Sequence, residues 1–164
     1  MAGKAKTPSY MAIALARAEE AGARGEVPVA ALIVDAQGEI AALSGNRMHE
    51  LGDPTAHAEM LAIREACAKL GEARLKRCDI YVTLEPCAMC AAAISFARLR
   101  RLYFGAYDAK GGGVEHGARI FAQATCHHRP EVYGGIEERR AGALLVRFFS
   151  ARRAPSVARA SDGA

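Results

Sequence analysis

The sequence predicts an α/β protein in which helices cover both faces of a mixed β-sheet. Three observations lead there. Short β-rich runs recur at 27–34, 39–44, 79–84 and 101–106. Only the turn-forming DAQG separates the first two, which makes them a hairpin. The later strands alternate with helical segments, the pattern of a mixed sheet buried on both sides.

Each element has its own local reason. Residues 8–24 read as a helix: Met11, Leu15 and Ala18 fall at i, i+4 and i+7, and Gly22 with Gly25 supplies a stop. VPVAALIV (27–34) and EIAALS (39–44) are the hairpin strands, and GNRMHELGDP is a loop. A helix over 55–70 places Met60, Ile63, Cys67 and Leu70 on one face. DIYVTL (79–84) is a third strand, PCAMCAAAISFARLRR (86–101) a helix opened by Pro, and RLYFGA (101–106) a fourth strand. YDAKGGGVEHG is a Gly-rich loop. Within 118–136 the pattern yields only a short fifth strand near EVYGGI. EERRAGALLVRFFSARR (137–153) is a final helix, and 154–164 has the composition of a disordered tail.

Length and composition set bounds on this reading. The 164 residues are expected to form one domain over 1–153. A net charge of +4 permits an anionic partner without demanding one. Five cysteines, an odd number, argue against a disulfide framework. Glu19 and Glu20 interrupt the N-terminal apolar run too early for a secretory signal. No apolar run approaches the ~20 residues needed to cross a bilayer. The expectation is a soluble, cytoplasmic protein.

The chemistry is concentrated in two short stretches. PTAHAEM places His57 and Glu59 at a helix mouth, and TLEPCAMC places Cys87 and Cys90 at another. A three-residue spacing at 3.6 residues per turn puts both sulfurs on one helix face. Two thiolates and an imidazole are three good zinc ligands, and three protein ligands leave a coordination position open, the catalytic pattern. The positive ends of two helices favour the thiolates and offset the charge they donate to the metal. Glu59, not needed as a ligand, is placed to carry protons. Neither H-x-E nor C-x-x-C is specific alone. Their joint occurrence, each half at a helix start, is the signature of zinc nucleobase deaminases.

On these residues the chain resembles the tRNA-specific adenosine deaminases of the cytidine-deaminase-like superfamily. The likeness spans 8–153 and includes GEVPVAALIV, GNR, DPTAHAEMLAIREA, YVTLEPCAMCAAAISFARLRRLYFGAYDAK and FFSARR. It implies a three-layer α/β/α sandwich with a five-stranded mixed sheet. It also implies a homodimer, and hydrolytic deamination of the wobble adenosine of tRNA to inosine. By the same likeness His57, Cys87 and Cys90 are zinc ligands and Glu59 the proton shuttle. Asn46 is implied to hydrogen-bond the flipped base, Asp108 and Lys110 to lie beside the nucleic-acid backbone, and Phe149, Arg152 and Arg153 to face tRNA. Two departures stand out: Ala30 where the family usually carries Gly, and GGGVEHGARIFAQATCHH after DAK.

Blander readings apply elsewhere. Cys67 is expected in the core, Cys78 and Cys126 in packing or loop positions, and His116, His127 and His128 on surface loops. His49 is close enough to Asn46 in sequence to line a pocket. Arg98, Arg100, Arg101 and Lys110 read as one basic cluster, and the C-terminal arginines as another. Two rivals to the tRNA reading are a free-base or nucleoside deaminase acting on guanine or cytosine, and a non-catalytic zinc-stabilised RNA-binding module. Glu59 argues against the second, because a structural zinc site has no use for a free carboxylate.

Overall fold

The computed structural model describes residues 9–153. The expected tail at 154–164 lies outside them. In chain order the elements are α1 (Tyr10–Ala23), β1 (Ala30–Val34), β2 (Ile40–Gly45), α2 (Met48–Leu51), α3 (Ala58–Leu70), β3 (Asp79–Leu84), α4 (Ala88–Phe96), β4 (Arg101–Ala106), β5 (Glu131–Tyr133) and α5 (Glu138–Arg153), with a 3-10 turn at Ile120–Ala122. The sheet has five strands in the order β2-β1-β3-β4-β5. β1 is antiparallel to both β2 and β3, whereas β3, β4 and β5 run parallel.

Side-chain alternation along β1 splits the core into two layers. Ala31 and Ile33 face α3 and α4, in a cluster with Ala62, Ile80, Ile94 and Phe104. Ala30, Leu32 and Val34 face α1 and α5, among Met11, Leu15, Ala141 and Leu144. Burial of every β1 residue follows from its place between two strands and under helices on both sides. Tyr81, Tyr103 and Tyr133 occupy one register row of β3, β4 and β5, and their rings stack at 4.5 and 5.0 Å.

The predicted α/β architecture and strand sequence hold, and several boundaries move. The helices expected from residues 55 and 86 begin at Ala58 and Ala88, so Pro86 stands before its helix rather than in its first turn. The buried face of α3 is Ala58, Glu59, Ala62 and Ala66, while Ile63, Cys67 and Leu70 are half-buried at its flank. Small residues win there because α3 lies close against β1 and β2. Of the basic cluster expected from Arg98, Arg100, Arg101 and Lys110, the arginines stand together between α4 and β4 and Lys110 does not join them. Arg100 and Arg101 begin β4 and pair with Asp79 and Glu131, whereas Lys110 follows its other end, about 20 Å away at the rise of a strand.

Candidate active site

Five chain segments meet at one rim of the sheet. Because β3 and β4 are parallel and β1 runs against β3, the C-terminal ends of β3 and β4 lie beside the start of β1 and the end of β2. This is where open α/β sheets bind ligands. A cavity of about 300 Å³ opens there, walled by Val27 and Val29 before β1, Asn46 after β2, Leu84 and Glu85 at β3, and Asp108 and Gly111 after β4. His49, His57, Glu59 and Cys87 also line it.

His57 is the N-cap of α3 and Cys87 the N-cap of α4, each without a side-chain capping bond. Both helices therefore turn their positive ends toward the same point. Cys90 follows one turn into α4 and is fully buried. The ligand atoms of His57, Cys87 and Cys90 all lie within 4.8 Å of one another, the one such group among the described residues. A tetrahedral centre with Zn–S about 2.3 Å and Zn–N about 2.0–2.1 Å requires S and N about 3.6 Å apart. Both Sγ–Nδ1 separations are 3.6 Å. The two thiols and one imidazole thus fit a zinc ion in chemistry and in spacing.

The electrostatics agree. Cys87 is held well below the usual thiol range, first by the hydrogen bond from Cys90 and then by His57, against the effect of burial. Cys90 is pushed far up by its bond to Cys87 and by burial. His57 is raised, mainly by its hydrogen bond with Cys87. A cation shared among the three relieves this crowding by taking both thiols as thiolates. Glu59 is only 4% exposed, and burial pushes its pKa up to about 7. A divalent cation beside it would draw that value down again.

Asn46 spans the mouth. Its Oδ1 accepts from Ala58 N–H at 2.9 Å and its Nδ2 donates to Val27 O at 3.2 Å. Asn46 is therefore a brace between β1 and α3 as well as a cavity residue, and one amide N–H remains free for a ligand. Asp108 lines the wall, with Oδ1 accepting from Lys110 N and Gly111 N. Lys110 is exposed beside it.

The C-terminal residues lie apart from this cavity lining. Phe149 is exposed, its ring set edge-on to Phe148. Arg152 donates to the carbonyl of Gly25 and lies 4.4 Å over the Phe148 ring, and Arg153 is exposed. Two carboxyl groups in the cavity wall carry no motif that sequence reasoning finds. Glu26 is buried and accepts from Glu50 N at 2.8 Å, and Glu85 is buried at the end of β3. The only sequence signal for either is an acid abutting an apolar strand.

Comparison with known proteins agrees with this geometry. The family described as cytidine and deoxycytidylate deaminase zinc-binding region matches residues 4–106. A tRNA-specific adenosine deaminase of Agrobacterium fabrum is 55% identical over 91% of this chain and 97% of its own. One from Rickettsia bellii is 48% identical over 83% and 94%. The chain belongs to the tRNA-specific adenosine deaminases. A solved structure from work on A-to-I editing by tRNA:A34 deaminases at the wobble position of transfer RNA is 57% identical. It covers 83% of this chain and 98% of its own, with a TM-score of 0.81. The matching family region is described as zinc-binding, and the three-residue cluster lies within it. No helix among the described residues is long and apolar enough to cross a membrane.

Proposed function

We infer that this chain is a zinc-dependent hydrolytic deaminase that converts adenosine to inosine at the wobble position of tRNA. The observation that carries the reading is the joint placement of His57, Cys87 and Cys90 at zinc spacing with a buried Glu59 in the same cavity wall. His57, Cys87 and Cys90 hold the metal. When bound, zinc supplies Lewis acidity that makes water a nucleophile near neutral pH.

The chain's own residues do the rest. Glu59 takes one proton from the attacking water and delivers it to the ring nitrogen beside the reacting carbon; it then carries the remaining proton of the added hydroxyl to the departing amine, as the C–N bond breaks and the carbonyl forms. Water and adenosine become inosine and ammonia. Glu59 suits this traffic because its burial raises its affinity for a proton while the helix N-terminus beside it still tolerates the charge. Asn46 keeps His57 and Glu59 in register by holding the N–H between them. Leu84, Val27 and Val29 give the base apolar walls. An anticodon loop makes extrusion of the base inexpensive, because its nucleotides are not held in a duplex.

Asp108, Lys110, Phe149, Arg152 and Arg153 are the proposed RNA-facing residues. The protein is further proposed to act in the cytoplasm as a homodimer, as the family resemblance implies. The experiment is direct: incubate the purified protein with an anticodon stem-loop bearing a wobble adenosine, digest, and measure inosine. Free guanine and cytosine serve as rival substrates, and conversion of either with an unedited stem-loop would overturn the assignment.

A further inference from the structure

Glu85 is the most heavily bonded buried acid among the described residues. Its side chain is 0% exposed. Oε1 accepts from Glu115 N at 2.8 Å, His116 N at 3.0 Å and Val114 N at 3.3 Å. Oε2 accepts from Asp108 N at 2.9 Å and pairs with His116 Nδ1 at 2.9 Å. One carboxyl group therefore holds both ends of the loop that follows β4. Although burial opposes the charge, these donors hold Glu85 below the usual carboxylate range, Asp108 N and the His116 ring foremost.

The loop's composition is what this arrangement requires. A Cβ on Gly112 would stand 2.6 Å from Glu85 Cδ, and one on Gly113 would overlap Ala88 N in the first turn of α4. The GGG after DAK lets the backbone lie against both the carboxyl group and the helix bearing Cys87 and Cys90. His116 lies on a surface loop as expected, with its side chain half-buried there. Its ring also meets Tyr107 edge-on at 6.2 Å. From Asp108 the constraint passes into the cavity: Asp108 Oδ1 accepts from Gly111 N at 2.9 Å, and Asp108 and Gly111 form the wall.

We propose that Glu85 and His116 are positioning residues, which together clamp the 108–116 loop so that Asp108 and Gly111 stand where the extruded nucleotide docks. This rests on the functional reading above. The clamp acts on substrate affinity and leaves the metal and Glu59 alone, since neither Glu85 nor His116 bonds to them.

His116→Ala and His116→Asn test it, the latter because its amide nitrogen can reproduce the Nδ1 donor. Zinc content, kcat and KM for the stem-loop are measured, together with amide hydrogen exchange over 108–116. His116→Ala is expected to keep zinc and to hold kcat within about twofold. KM should rise about tenfold, the loss of one charge-assisted hydrogen bond, with faster exchange at Asp108, Val114 and Glu115. His116→Asn is expected to restore most of both. Unchanged exchange, faster exchange with unchanged KM, or a KM that His116→Asn does not recover overturns the clamp. The exchange measurement needs no turnover. A wild-type protein that leaves the stem-loop unedited while His116→Ala still loosens these amides would sink the functional reading and not the clamp.

Discussion

Replacing Asn46 with alanine separates two roles for this residue. If Asn46 served the substrate alone, its loss would leave stability untouched. The structure gives it a second task, with Oδ1 on Ala58 N at 2.9 Å and Nδ2 on Val27 O at 3.2 Å. Ala58 N is the first N–H of α3, and His57 and Glu59 flank it. Truncation removes two hydrogen bonds worth about 1 kcal/mol each. The orphaned N–H at the helix start is already counted in that sum, since a lost cap typically costs ~1 kcal/mol. The total is about 2 kcal/mol, or roughly 4–8 °C in Tm for a chain of this size. Thermal and urea unfolding of the zinc-loaded protein would measure it. A variant within ~0.5 kcal/mol of wild type, the range of ordinary surface changes, would refute the brace and leave only a role toward substrate.

Four further outcomes follow from the same geometry. Cys87→Ser should lose metal and stability together, because ligand binding and folding are linked; metal analysis after dialysis checks it, and full occupancy would remove Cys87 from the ligand set. Phe104→Ala, at a fully buried position on β4 in the core layer shared with α3 and α4, should cost about 3–5 kcal/mol in chemical denaturation. Arg153→Glu should raise KM for tRNA and flatten the log–log salt dependence of binding by roughly one unit, the change expected when one phosphate loses its cation. Arg152→Glu should do this and also loosen the end of α5, because Arg152 additionally holds Gly25 O and covers Phe148.

The parts of the site that repeat within a few residues are legible in the sequence. His57 with Glu59, and Cys87 with Cys90, carry their chemistry in local spacing at helix starts, and the structure brings them together. Strands are legible from composition because each is a short apolar run between turn residues. What escapes is chemistry carried by the backbone. Glu85 is one acid at the end of a strand, and its partners are amides 23 to 31 positions away. His116 has no local pattern and takes its meaning only from Glu85. The buried face of α3 differs from the expected one because periodicity favours large apolar residues, whereas close approach to the sheet selects Ala58, Ala62 and Ala66. The short helix α2 and the 3-10 turn at Ile120–Ala122 lie inside loops, where neither periodicity nor length announces them.

The role of Glu59 beside a three-ligand zinc is tested by comparing wild type with Glu59→Ala on a wobble-adenosine stem-loop, with zinc quantified in both. About one zinc per chain is expected in each protein, and inosine from the wild type. In the variant, turnover should be slower by ~10²–10⁴-fold, the usual loss of a general acid–base group. A variant without zinc would make Glu59 a ligand, and one that edits at the wild-type rate would remove it from the chemistry; either result contradicts the mechanism.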